Sequence, residues 1–164
     1  RHPHRLRRAR AARSDRGDRR TGGTRRSLRA NADGGARNNP GPAGAGAIIR
    51  DEFGNAVGSV SKFLGIRTNN FAEYEAVILA LETLMSIVSE KEWGNTEVEI
   101  KMDSELVVKQ MRGEYKVKHP SLKEQHARVQ HAASAFSTLA FTHVPRAQNS
   151  DADALANEAM DRGA

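Results

Sequence analysis

No cysteine occurs in the 164 residues, which removes disulfide frameworks, thiolate nucleophiles and cysteine zinc sites from consideration. That composition suits a reducing compartment, and a cytoplasmic location is the expectation. The longest apolar run, Ala76 to Leu81, is six residues, far short of a membrane span, so no membrane partner is expected. Acidic residues are nearly missing from the start of the chain. Residues 1–29 hold twelve Arg against two Asp, a net +10, whereas residues 30–164 hold fourteen Lys and Arg against eighteen Asp and Glu, a net −4. The overall +6 therefore describes a basic tail attached to a mildly acidic domain.

The tail, residues 1–26, has no aromatic residue and a single large aliphatic one, Leu6. Such a segment cannot bury enough apolar surface to offset chain entropy, so it reads as a disordered Arg-rich extension. It also lacks the aromatic platforms of a folded nucleic-acid-binding module. An electrostatic arm for phosphate backbones, a targeting presequence and a dispensable extension all fit its composition. The chain opens on Arg, which leaves its true N-terminus undefined. Residues 27–164 are long enough for one domain with a sizeable core.

That domain is organised around Asn31-Ala32-Asp33-Gly34-Gly35-Ala36-Arg37-Asn38-Asn39-Pro40-Gly41-Pro42. A strand-like run, Ser27 to Ala32, ends on Asp33; glycines and a turn-forming Asn-Asn-Pro-Gly-Pro cluster follow. A carboxylate at the mouth of a strand can face the crevice where α/β sheets place ligands. Asp-Gly-Gly is equally ordinary hairpin chemistry. Ala45–Arg50 and Ala56–Leu64 read as the next strands, joined through Asp51–Asn55, with Val57, Val60 and Phe63 as anchors. Asn70 and Glu73 form a capping box that starts a helix running to about Lys91. Its solvent face is Glu75, Glu82, Ser86, Ser89 and Glu90, opposite Ala76, Val77, Ala80, Leu84 and Ile87. Glu73 falls on the apolar stripe, either as a cap alone or as an acid at the core edge.

Thr96–Met102 alternates with Val98, Ile100 and Met102 on one face, and Asp103 closes it on the other. Ser104 caps a short helix, Glu105–Arg112, with Leu106, Val107 and Met111 inward. Gly113–Pro120 is a loop, Ser121 caps a helix to about Ser134, and Phe136–Val144 is the last strand. Pro145–Asn149 turns into a final helix with Ala152, Leu155, Ala156 and Ala159 buried. Asp151 and Asp153 near its start favour the helix dipole, so either alone is ordinary. The element order is that of an α/β domain with a mixed sheet. Asp33 and Asp103 meet if their strands are parallel neighbours, and Glu73 and Asp153 can close on the same place from two helices. Four oxygen donors without histidine or thiol suit Mg²⁺ or Mn²⁺ rather than zinc.

Asp33-Gly34-Gly35 with Asn39-Pro40-Gly41-Pro42, then Thr68-Asn69-Asn70-Phe71-Ala72-Glu73, then Met102-Asp103-Ser104, then Asn149-Ser150-Asp151-Ala152-Asp153-Ala154-Leu155-Ala156 resemble type 1 ribonuclease H in order and spacing. The resemblance covers residues 27 to about 161. It implies the ribonuclease H-like fold: a five-stranded mixed sheet, strands 1–3 antiparallel and strands 1, 4 and 5 parallel, flanked by helices. It also implies metal-dependent endonucleolytic cleavage of the RNA strand of RNA–DNA hybrids by two metal ions, leaving 3′-hydroxyl and 5′-phosphate ends. Asp33, Glu73, Asp103 and Asp153 match the family's catalytic, metal-binding acids. Asp153 is preferred to Asp151 because Ala154-Leu155-Ala156 follows it. Gly34 and Gly35, through their backbone, and Asn39, Asn69 and Asn70 match hybrid-contacting positions.

Three departures stand out. Glu105 occupies the place where many relatives carry Gln. Val144–Asn149 lacks the histidine of many bacterial members, which makes Arg146 the nearest stand-in and places the loop with an archaeal-like branch; His143 reads as structural. The basic protrusion is missing as well, leaving Lys116, Lys118 and the Arg-rich tail to compensate. The expected partner is the hybrid and the acting form a monomer; whether double-stranded RNA is a second substrate is left open by the sequence. The competing readings are a non-catalytic binding module on the same fold and a polynucleotide binder working through its tail.

Overall fold

The computed structural model of the protein describes residues 25–164. The expected disorder of the N-terminal extension therefore falls, for residues 1–24, outside the described residues. Its last two residues belong to the folded part. Arg25 reaches across the sheet, Nε 3.2 Å from Glu97 Oε2 and Nη2 donating to Thr138 Oγ1 at 3.0 Å.

Five strands form one sheet: β1 (Arg26–Ala36), β2 (Gly41–Arg50), β3 (Ala56–Arg67), β4 (Thr96–Met102) and β5 (Thr138–His143). Their order is β3-β2-β1-β4-β5. The first three run antiparallel, whereas β1, β4 and β5 are parallel, as expected from the sequence. The helices are α1 (Asn69–Ile87), α2 (Glu105–Met111), α3 (Pro120–Ala133) and α4 (Ser150–Arg162), with 3₁₀ turns at Glu90–Asn95 and Arg146–Asn149. Among the described residues no helix is long and apolar enough to cross a membrane.

Two registers create the crevice. β1 pairs with β4 only as far as Asn31 opposite Lys101, but continues with β2 through Asp33 opposite Gly46 to Ala36 opposite Ala43. Asp33 thus lies within β1, not at its end, just past the point where the parallel partner leaves. Leu28, Ala30 and Ala32 face a core shared with Val98, Ile100, Met102, α1 and Phe141. On the opposite face, β2 carries Gly44 and Gly46 beneath α4. A Cβ on Gly44 would lie 2.5 Å from Ala156 O, and one on Gly46 would lie 2.7 Å from Ala152 O. Glycine is required there for helix and sheet to meet so closely.

Several local readings are corrected by packing. Thr68, not Asn70, caps α1, its hydroxyl accepting from Phe71 N at 3.1 Å. The helix stops at Ile87 rather than near Lys91, where a 3₁₀ turn takes over. Glu75 is buried, at 9% exposure, because α3 covers that flank and Gln125 Nε2 donates to its carboxylate at 2.8 Å. Leu106 is 40% exposed while Val108 takes the inward place beside Val107 and Met111. Val57, near the start of an edge strand, is exposed as well. His119 caps α3 instead of Ser121, its Nδ1 accepting from Ser121 N at 3.3 Å, with Pro120 opening the helix.

Candidate active site

Asp33, Glu73 and Asp103 converge where β1 and β4 part. One carboxylate oxygen from each lies within 4.8 Å of the others. Each is aimed by its element. Asp33 projects from β1 on the α4 face and is only 7% exposed. Glu73, near the start of α1, accepts a hydrogen bond from Gly34 N at 3.1 Å. This contact requires glycine in β1, because a Cβ at Gly34 would stand 2.1 Å from Ala72 O. Asp103 follows β4 directly, and Ser104 Oγ starts α2 by accepting from Val107 N at 3.3 Å.

Asp153 approaches from the first turn of α4, at the solvent side, and lines the same cleft as Asp33. Asp151 points away to an ion pair with Arg50, Nη2 2.5 Å from Oδ2. The structure therefore brings all four predicted acids to one cleft of about 410 Å³, which Gly34, Gly35, Arg37, Asn69 and Arg146 also line.

The acids are crowded enough to resist ionisation. Burial, then the charges of Glu73 and Asp103 and the hydrogen bond to Asp153, push Asp33 up to about 9. Burial, reinforced by Asp103 and opposed by the Gly34 N–H and Arg146, pushes Glu73 up to about 8. Carboxylates forced together against their own repulsion favour a cation, and this all-oxygen set suits a hard divalent ion. Arg146 is 91% exposed and stands 4.0 Å from Asp103 Oδ2.

The asparagines form a chain beside this cleft. Asn39 Oδ1 accepts from Asn69 N at 2.9 Å, and Asn69 Oδ1 accepts from Ala36 N at 2.8 Å. Together they tie the β1–β2 turn to the start of α1. Asn70 is exposed nearby, lining a neighbouring groove with Asn39 and Thr68. Gly35 stays open, with Asn69 Oδ1 3.9 Å from a hypothetical Cβ. Glu105 pairs with Lys109 on the surface of α2 at 3.2 Å.

Sequence reasoning missed how α4 is fixed. Asn149 is buried; its Nδ2 donates to Ala32 O at 3.0 Å, and its Oδ1 accepts from Asn31 Nδ2 at 3.0 Å. An asparagine just before a helix signals only a cap, so its partner in β1 was invisible. Arg37 was missed too: a cation directly after a strand carries no signal of facing a cleft. Its Nη2 lies 2.6 Å from Asp161 Oδ1.

Comparison with known proteins agrees with this geometry. A family model described as reverse transcriptase-like matches residues 31–159. The bifunctional protein Rv2228c of Mycobacterium tuberculosis is 46% identical over 134 residues, which is 81% of this chain but 35% of that protein. The ribonuclease HI of Halobacterium salinarum is 40% identical over 129 residues, covering 79% of this chain and 62% of that one. The chain thus spans only about a third of the mycobacterial relative's length. Among solved structures, LC11-RNase H1 in complex with an RNA/DNA hybrid superposes with a TM-score of 0.74 at 48% identity, covering 82% of this chain and 97% of that one. The order of the acids, the strand topology and these matches agree: the chain belongs to the type 1 ribonuclease H family.

Proposed function

We propose that this chain is a metal-dependent endonuclease that hydrolyses the RNA strand of RNA–DNA hybrids, leaving 3′-hydroxyl and 5′-phosphate ends. The observation that carries the reading is the convergence of Asp33, Glu73 and Asp103 within 4.8 Å. Asp153 joins them at the open side, where it lines the same cleft. These four would hold Mg²⁺ or Mn²⁺, in a pair. When bound, such ions supply activation of the attacking water and charge neutralisation at the departing oxygen. The protein's own part is to gather the four acids at one cleft, with Asp33, Glu73 and Asp103 withdrawn from full solvent exposure, before the ions arrive.

Substrate recognition follows from the groups beside the acids. Asn39 and Asn69 each spend the side-chain oxygen on a backbone N–H, which leaves each Nδ2 as a donor for 2′-hydroxyl or phosphate oxygens. With Asn70 and the backbone of Gly34 and Gly35, these donors suit recognition of A-like groove shape without base readout. Arg146 carries a guanidinium, which offers donors and no acceptor, so it cannot take up a proton as an imidazole can. Its role is electrostatic, drawing phosphate toward the cleft beside Asp103. The Arg-rich residues 1–26 add sequence-blind, salt-sensitive attraction. The acting unit is read as a cytoplasmic monomer.

The test is a panel of substrates labelled on each strand in turn: RNA–DNA hybrid, double-stranded RNA, single-stranded RNA and duplex DNA, with Mg²⁺ or Mn²⁺. Cutting of the hybrid's RNA strand alone, giving 5′-phosphorylated fragments, is expected. Tight hybrid binding without cutting in either metal would instead make the chain a binding module. Cutting of double-stranded RNA at a comparable rate would widen the substrate class.

A further inference from the structure

Among the residues lining the acid cleft, Arg146 and Arg37 are the two cations. Arg146 approaches Asp103 from the turn before α4. Arg37 stands toward the other end of that helix, immediately after β1. Its backbone is fixed, since Arg37 N donates to Pro42 O at 2.8 Å and a Cβ on Gly41 would lie 2.4 Å from Arg37 O. Its side chain crosses to α4. Nη2 lies 2.6 Å from Asp161 Oδ1 and donates at 3.4 Å to Asn157 O and Oδ1.

Asp153, Asn157 and Asp161 are spaced by four residues, so they share one stripe of α4. At about 1.5 Å of rise per residue, the Arg37 guanidinium sits roughly 6–12 Å along the axis from Asp153. Phosphates follow one another at about 3.4 Å per nucleotide along a strand axis. That separation fits a phosphate a few nucleotides from one held at the acids.

Its present partner is easily exchanged. The Arg37–Asp161 pair is solvent-exposed, with side-chain exposures of 46% and 69%, and exposed ion pairs contribute little to stability. A phosphate offers the same planar fork two oxygens with a full charge. We propose that Arg37 is a substrate-binding residue that grips a backbone phosphate of the strand being cut, and that Asp161 is its placeholder in the free protein. This assignment rests on the reading of the cleft as the site of hybrid hydrolysis.

The experiment measures hybrid affinity across a salt series in chelator, and KM and kcat with Mg²⁺, for wild type, Arg37→Ala, Arg37→Lys and Asp161→Asn. Arg37→Ala is expected to weaken binding roughly tenfold and to lower the slope of log affinity against log salt by about one. KM rises and kcat stays. Arg37→Lys keeps the slope with part of the affinity, and Asp161→Asn binds as tightly as wild type or more so. A hybrid whose RNA strand carries neutral linkages a few nucleotides from the cut abolishes the difference between wild type and Arg37→Ala. If wild type cuts normally and Arg37→Ala matches it in affinity and slope, the assignment fails while the cleft's reading stands. Parallel losses of Tm and kcat in Arg37→Ala and Asp161→Asn would make the pair a clamp for α4 and also overturn it. Wild type unable to cut the hybrid would defeat the reading on which the assignment rests.

Discussion

Asp33 and Glu73 bind protons more tightly in the folded chain than in the unfolded one, the reverse of a surface carboxylate. Asp33 rises from 3.8 to about 9 and Glu73 from 4.5 to about 8. Between those values the metal-free folded state holds protons that the unfolded state has released. These two groups therefore favour folding below pH 4 and lose that contribution as pH climbs through 8 and 9. The metal-free protein should lose roughly 5 °C or more of Tm between pH 5 and pH 9 on this account. Asp33→Asn should flatten the trend and melt higher than wild type at pH 8 without metal, as followed by calorimetry. Saturating Mn²⁺ should release protons and lift wild type but not the variant. A metal-free Tm independent of both pH and Asp33 would contradict the crowding. At this scale the sequence named the four acids through their motifs, and Ala154-Leu155-Ala156 separated Asp153 from Asp151. The Arg50 ion pair that turns Asp151 away depends on β2 and α4 being neighbours, which no local pattern states.

Each element earns its position through small residues at close approaches. Gly34 lets β1 and α1 touch, so a Cβ there meets the Ala72 carbonyl at 2.1 Å, whereas at Gly35 the nearest atom is 3.9 Å away. Gly34→Ala should destabilise by roughly 3 kcal/mol or more, since backbone on both sides must shift. Gly35→Ala should leave Tm within about 1 °C of wild type. It should still raise KM for the hybrid, if the substrate backbone approaches there as proposed. Denaturant titration of both variants beside hybrid kinetics separates the two roles; equal stability losses would collapse the distinction. Alternation made β4 legible from Thr96 to Met102, and the buried pattern follows it. Helix starts were harder, because Thr68, Asn69 and Asn70 are all good caps and the choice depends on where Asn69 is needed. Its side chain is taken by Ala36 N. Glu75 was misread as solvated because the helical period cannot reveal that α3 covers a second side of α1.

Over the whole molecule, charge and topology act against each other in a useful way. Four of the acids of residues 30–164 line the cleft where β1 and β4 diverge, and cations held among them would turn its sign toward a polyanion. Among the described residues Arg37 and Arg146 line the same cleft with positive charge. The mixed-sheet topology could be anticipated from element order and the four motifs together. The seat of α4 over Gly44 and Gly46 could not, because glycine and alanine in a strand look the same whether a helix or solvent lies above them. The decisive measurement is single-turnover cleavage of an RNA-labelled hybrid with Mg²⁺ or Mn²⁺ by wild type, Asp33→Asn, Glu73→Gln, Asp103→Asn and Asp153→Asn. The account predicts metal-dependent cutting of the RNA strand by wild type. Losses should be about 10³-fold or greater in the first three variants, while each still binds the hybrid in chelator. Cutting within tenfold of wild type by any of those three, or undiminished without divalent ions, would contradict it.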